Sequence, residues 1–377
     1  MNRSRRSSLS VVRWLMTAWP VAASSQPAPT ATIPLAPACV SCRIAVAPGI
    51  ILGDTSGPGE FPRGGRSINR DDRGRYFVGF LSQFPPKVYG PDGRYQAELG
   101  RAGEGPGEFR LAAIYAVGGD TAWISDSFNG RLAEMVYSEG RWAHLASRPV
   151  SGIPLSPFSV TRLRDRAILY NGVIMTSERI GYPLHLFRDR QPLISFGTSA
   201  PAFRPAQVGL AVRAIWPARD GGAWVAHSVR YEVERYDDKG GLRDRWERRV
   251  PWFVPHDGSR GPDPGRPPDP RMLAIGEDDS GLLWFFLGVP DPRSRDAFGP
   301  APGPGMVDLR DFNRYYDTLI EVFDPRRGVI LASQRVDDAM VVAVGAFRGG
   351  FQAASELRTE SGGWRFRLWN LRLSGVP

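Results

Sequence analysis

Apolar residues alternate with polar ones along nearly the whole chain, and no internal stretch carries the spacing of an amphipathic helix. The alternating runs are short, and 43 glycines and 34 prolines punctuate them instead of forming a low-complexity tract. That grammar predicts an all-β chain of many short strands joined by tight turns. Two phrases repeat word for word. Gly57 to Phe61 and Gly105 to Phe109 both read Gly-Pro-Gly-Glu-Phe, and each follows a Leu-Gly pair. Each opens a run that ends in an aromatic, a turn and a glycine: Val88-Tyr89-Gly90-Pro91-Asp92-Gly93 and Val136-Tyr137-Ser138-Glu139-Gly140.

Tyr89 and Tyr137 are 48 positions apart, the length of one four-stranded propeller blade. Equivalent anchors follow at Phe187, Tyr236, Phe323 and Leu371, spaced by 50, 49, 87 and 48. One expanded interval among regular ones predicts a six-bladed β-propeller over residues 43–377, with extra length in blade five. Arg43 to Leu52 reads as an outermost strand lacking the rest of its blade. Blade six has the opposite defect, with three strands from Met340 to Leu373. The N-terminal strand is therefore expected to complete the C-terminal blade and cover its open edge.

The ten residues Gly100 to Phe109, Gly-x-x-Gly-x-Gly-Pro-Gly-Glu-Phe, resemble the NHL-repeat six-bladed propellers, in particular exported bacterial ones without an assigned activity. The resemblance extends over Arg43 to Pro377 in spacing, and in wording over blades one and two. It implies the fold and not a reaction, because the family hosts binding modules and several chemistries. The phrase itself reads as structural. Its glycines permit positive-φ turns, Phe61 and Phe109 wedge between blades, and Glu60 and Glu108 cap backbone amides.

Arg3, Arg5 and Arg6 precede a modest apolar run from Val11 to Ala23 and a small-residue stretch, so residues 1–25 read as a signal peptide of Sec or twin-arginine type. No later run approaches the roughly 18–20 apolar residues that span a bilayer. Residues 26–42 read as a linker. Within it, Cys39 and Cys42 are the only cysteines, and in an exported chain this pair predicts a short-loop disulfide. The net charge of +9 is almost all arginine, since Lys87 and Lys239 are the only lysines. The arginines are scattered and interleaved with acids, which argues against a nucleic-acid footprint.

Two long departures interrupt blade five, at 255–271 and 289–316, and both should overhang one face of the disc. The second ends in Arg310, Asn313, Tyr315 and Tyr316, groups suited to gripping a polar or anionic partner. Arg66, Arg162 and Arg213 fall in the expected inner strands near the tunnel. These seven residues form the expected ligand site, with a protein, peptide or glycan as ligand and the chain as a monomer. No catalytic residue, cofactor or metal is assigned. The alternative is a metal-dependent hydrolase or lyase of the lactonase or amidating-lyase type. A lactonase-like cation would need Glu, Asn and Asp on the inner strands, where Asn69 stands alone beside arginines. A zinc site would need His144, His185 and His227, which fall on different strands of successive blades.

Overall fold

The structure, a computed structural model, describes residues 29–61, 67–80, 82–155, 157–197, 205–301, 303, 306–347, 349–359 and 362–376. The expected signal peptide lies outside the described residues. Six antiparallel sheets follow one another around a central channel, as the anchor spacing predicts. From channel to rim, blade one is Ser67–Arg70, Tyr76–Gly79, Lys87–Tyr89 and Tyr95–Glu98. Blade two is Ala112–Gly118, Thr121–Asp126, Arg131–Ser138 and Arg141–Pro149. Blade three is Ser159–Arg162, Ile168–Asn171, Leu184–Phe187 and Ile194–Phe196. Blade four is Arg213–Pro217, Ala223–His227, Glu232–Tyr236 and Leu242–Glu247. Blade five is Arg271–Glu277, Leu283–Pro290, Tyr316–Asp324 and Val329–Val336.

Blade six takes three strands from the C-terminal region, Met340–Phe347, Gly350–Arg358 and Trp364–Ser374, and its rim strand from Arg43–Leu52. The two chain ends pair antiparallel, from Arg43 opposite Ser374 to Leu52 opposite Phe366, with an irregularity between Pro48 and Ile51. Sixfold closure therefore has the form that the incomplete first and last phrases require.

Upstream of the ring, the segment read as a linker is a strap along the rim. Thr30–Thr32 runs parallel to the outer strand of blade four, and Ile33 is buried beneath it. Ala38 N–H donates to Ile330 O of blade five at 2.7 Å, Cys39 and Cys42 form a disulfide, and Ser41 Oγ donates to Gly375 O at 2.8 Å. The strap thus touches blades four, five and six in turn before it becomes the closing strand.

The repeated phrase packs as its residues imply. Phe61 is buried at the seam of blades six and one, with its ring 5.4, 5.6 and 5.7 Å from those of Phe80, Tyr89 and Phe366. Phe109 is buried in the next seam with Phe77, Leu99 and Ile124. Gly100 has φ +83°, and a Cβ there would meet Gly107 O at 2.2 Å, so no other residue fits. Glu108 Oε2 accepts the Glu104 and Gly105 N–H groups at 3.0 and 2.8 Å, while Arg101 pairs with Oε1 at 2.6 Å.

The Gly105 amide and the Arg101 side chain hold the Glu108 carboxyl below its ordinary value of 4.5. A carboxyl depressed in the folded state contributes stability that is complete above its unfolded pKa and vanishes as pH falls through the folded one. Glu108→Gln is therefore expected to lower the urea midpoint at neutral pH, with the gap closing below the carboxylate range. An offset that stays constant with pH would contradict the capping role.

Candidate functional site

Inner strands all run the same way, so their first residues surround one mouth of the channel and their last residues the other. The first mouth lies on the face where both blade-five departures emerge. Residues 255–270 are an irregular segment pinned by His256, whose Nε2–H is placed to donate to Pro270 O at 2.9 Å while Nδ1 accepts the Gly258 N–H at 3.1 Å. The second departure, 291–315, contains a 3-10 turn at Ser294–Ala297, a bridge from Phe298 to Leu309 and one helical turn at Phe312–Tyr315. Asp311 caps that turn by accepting the Asn313 and Arg314 N–H groups.

The two departures interlock. Tyr316 Oη donates to Asp269 O at 3.0 Å, and the Arg271 guanidinium stands 5.7 Å from the Tyr316 ring. Phe298, Phe312, Tyr315 and Tyr316 form an aromatic cluster over Ala339 and Val341 of the blade-six entrance. Asn313 fastens this cover to blade six, its Nδ2 donating to Glu356 O at 2.5 Å and its Oδ1 accepting the Ala339 N–H at 3.1 Å. The part of the insertion around Phe298, Leu309 and Phe312–Tyr315 is packed against blade six.

Beneath it, the inner strands enclose a cavity of about 630 Å³. Its wall is of mixed polarity, with Ile68, Ile114, Val160, Ile215 and Leu273 among the apolar lining groups. Polar groups gather toward the insertion side, where Arg213 and Arg271 are the first residues of neighbouring inner strands and Phe312 and Glu356 border the opening. Arg213 is buried, its Nη1 donating to Leu210 O at 2.5 Å and Val212 O at 3.0 Å. Burial lowers its pKa to about 10 against the opposing pull of Glu234, which leaves it cationic at neutral pH. Arg271 is less committed, because its Nε is buried without a hydrogen-bond partner.

Behind Arg213 lies a charged network within blade four. Burial and the neighbouring Arg213 hold His227 below its usual pKa, hence neutral. Burial works against ionisation of Glu234, yet its carboxyl is lowered. With His227 neutral, the guanidinium of Arg245 at 2.6 Å is the group that keeps it charged. Tyr236 Oη donates to the same carboxylate at 2.9 Å. This network supports the mouth from behind.

Arg66 lies outside the described residues. Arg162 ends its inner strand, at the opposite rim of the channel wall from Arg213, and stacks on Trp123 at 4.5 Å in a separate cavity of about 820 Å³. Arg310 is exposed and paired with Asp308 at 2.6 Å. Tyr315 and Tyr316 are buried and Asn313 is spent on blade six, so these three build the cover over the opening. Of the expected seven, Arg213 lines the cavity. Arg271 was missed because it was read as the end of the first departure. The available signal was its position, since Pro270-Arg271 begins an inner strand just as Val212-Arg213 does.

The histidines are dispersed as expected. His144 is on an outer strand, His185 on a third strand between Ser195 Oγ and Gly172 O, and His227 on a second strand. The cavity wall offers one amide and one carboxylate, Asn69 and Glu356, with Arg213 and Arg271 at its mouth, a donor set that does not fit a channel-bound cation.

No protein-family model matches the chain, and no curated protein does. Among solved structures, it is similar to a Bacteroides fragilis protein assigned as exported, with a TM-score of 0.53 at 9% identity, covering 92% of this chain and 99% of that one. Virginiamycin B lyase from Staphylococcus aureus gives a TM-score of 0.45 at 11% identity, covering 88% and 99%. A gluconolactonase from Xanthomonas campestris gives 0.45 at 13% identity, covering 87% and 99%. At 9% identity the likeness to the first of these shows the fold alone. No helix among the described residues is long and apolar enough to cross a membrane.

Proposed function

We propose that this chain is an exported ligand-binding propeller that takes an anionic ligand, a carboxylate-bearing peptide or glycan, at the channel mouth under the blade-five insertions. The observation that carries this reading is Arg271: a guanidinium at the opening of a 630 Å³ cavity, held against Tyr316, with a buried Nε that no protein group satisfies. A buried donor without a partner costs about 1–3 kcal/mol, which a ligand acceptor would return as affinity. Arg213 adds a second positive charge on the inner strand of the neighbouring blade, and the apolar side chains in the mixed wall below give the uncharged part of the ligand a surface to cover. A hydrolase or lyase reading uses the same fold, but the two arginines at the mouth of the cavity that Asn69 lines disfavour the cation it would need.

The test is a thermal-shift and calorimetric screen with oligogalacturonate and an oligoglutamate peptide as probes. Binding by the full exported chain should weaken about 10- to 100-fold in Arg271→Gln, the value of a charge-assisted hydrogen bond in a shielded site. Arg310→Gln, at the exposed pair, should bind as wild type does. If neither probe stabilises the protein, or if both variants bind equally well, the mouth is not an anion site. Lactone hydrolysis or lyase turnover by the purified protein would favour the enzyme reading instead.

A further inference from the structure

Asp291, Asp317 and Asp337 converge at the root of the second insertion, with one carboxylate oxygen from each lying within 4.8 Å of the others. They come from three separate segments. Asp291 follows directly on the second strand of blade five, Asp317 is the second residue of its third strand, and Asp337 sits in the crossing from blade five to blade six. Strand pairing alone sets the first two side by side, because Pro290 lies opposite Tyr316 and Val289 opposite Asp317.

Two arginines serve part of this cluster. Arg335 holds Asp317 Oδ2 at 2.6 Å, and Arg293 reaches both oxygens of Asp337 at 3.2 Å and lies 3.6 Å from Asp291 Oδ1. The Arg293 N–H also donates to Asp291 Oδ1, at 2.5 Å. The remaining oxygens have nothing. Asp291 Oδ2 and Asp317 Oδ1 are buried without a hydrogen-bond partner, and the Asp291 side chain is fully inaccessible. Two facing carboxylate oxygens in a dry pocket repel each other unless a proton or a cation lies between them. Three carboxylates against two guanidiniums leave one net negative charge, and the exposed side of Asp337 leaves room for water ligands.

We propose that Asp291, Asp317 and Asp337 form a divalent-cation site, selective for Ca²⁺ over Mg²⁺, that clamps the two ends of the insertion to the entrance of blade six. The ligands are hard oxygens drawn from one strand and two connections, an uneven geometry that Ca²⁺ accepts and that near-octahedral Mg²⁺ disfavours. Burial raises the pKa of Asp317, and the facing Asp291 adds to this against the pull of Arg335, so without a cation the pair is poised to hold a proton. Among the described residues a second cluster of this kind, His227 with Glu232 and Glu234, differs because Arg245 and Tyr236 already occupy its carboxylates. The clamp is independent of whether Arg271 binds an anion.

The experiment uses the full exported chain, stripped with EDTA and desalted, then titrated with CaCl₂ by calorimetry. Tb³⁺ serves as a luminescent probe excited through the adjacent Tyr315 and Tyr316. One equivalent of Ca²⁺ should bind with a Kd on the order of 10⁻⁴–10⁻³ M, the range of extracellular calcium modules. It should raise Tm, and MgCl₂ should bind at least tenfold more weakly. Asp337→Asn, at an exposed position where folding is not at risk, should weaken binding about tenfold, and Asp291→Asn should abolish both the heat and the Tb³⁺ signal. Glu232→Gln should leave both unchanged. The clamp is overturned if wild type shows no saturable Ca²⁺ binding at about ten times that concentration, if Asp337→Asn binds as wild type does, or if Glu232→Gln removes the signal. A higher Tm for Asp291→Asn in Ca²⁺-free buffer, combined with no Ca²⁺ uptake by wild type, would instead identify a shared proton.

Discussion

Replacing Arg248 by alanine is expected to destabilise the protein by about 3–5 kcal/mol, the cost of stranding a buried charge. Arg248 follows the outer strand of blade four, and its partner Glu321 lies on the third strand of blade five; their side chains are 4% and 3% exposed. Tyr231 Oη donates to the same carboxylate oxygen as Arg248, and Ser333 Oγ donates to the other at 3.2 Å. The remaining guanidinium nitrogens reach out to the strap, Nη2 to Leu35 O at 2.6 Å and Nε to Pro34 O at 3.3 Å. One side chain therefore joins two blades and the N-terminal segment. Its loss leaves the Glu321 carboxylate buried without a cation. Arg248→Met combined with Glu321→Leu should regain much of the loss, since well-packed apolar pairs substitute for buried ion pairs. Urea unfolding of the single and double variants checks this, and a single-variant loss below about 1 kcal/mol would place the pair at a solvated seam.

The second large effect concerns closure of the ring. A chain lacking everything before Ala36 loses the Thr30–Thr32 pairing and buried Ile33 yet keeps its rim strand, so it should still unfold in one cooperative step at a modestly lower temperature. A chain beginning after Leu52 should not. Removing Arg43–Leu52 bares the edge of Trp364–Ser374 and takes away Ile44 and Leu52, which pack on Leu371 and on Phe366 and Leu368. Each such aliphatic side chain contributes about 1.5–3 kcal/mol, and the open edge recruits other copies. Differential scanning calorimetry and light scattering should show no cooperative transition and a growing aggregate, and a synthetic peptide of residues 43–52 should partly restore the transition. Equal melting of the two truncations would mean that the rim strand does not seal the disc.

Blade number and closure were legible because they depend on spacing and on matching half-phrases, which are local properties of the text. The strap was not. Thr30-Ala31-Thr32-Ile33 is too short to carry a strand pattern, and its partner Arg245–Glu247 is fixed only by the folded rim. Asn313, Tyr315 and Tyr316 looked like a grip because an inward-facing cover and an outward-facing site draw on the same residue types. Ala339 and Glu356 decide between these outcomes, and nothing near residue 313 in the sequence announces them. Arg271 and the three aspartates were hidden for a related reason, since their significance lies in which atoms remain unpaired after packing.

The meeting of the two chain ends also sets an order of events during synthesis. Arg43 O receives a bond from Ser374 Oγ across 331 residues, so the first ribbon of the ring has no partner until the last has been made. Blades one to five can assemble on the emerging polypeptide, each against its predecessor, but the sixth must wait until Trp364–Ser374 has been made. Closure of the disc is accordingly the last step of folding, and a chain cut short before Trp364 is expected to leave an open, adhesive spiral.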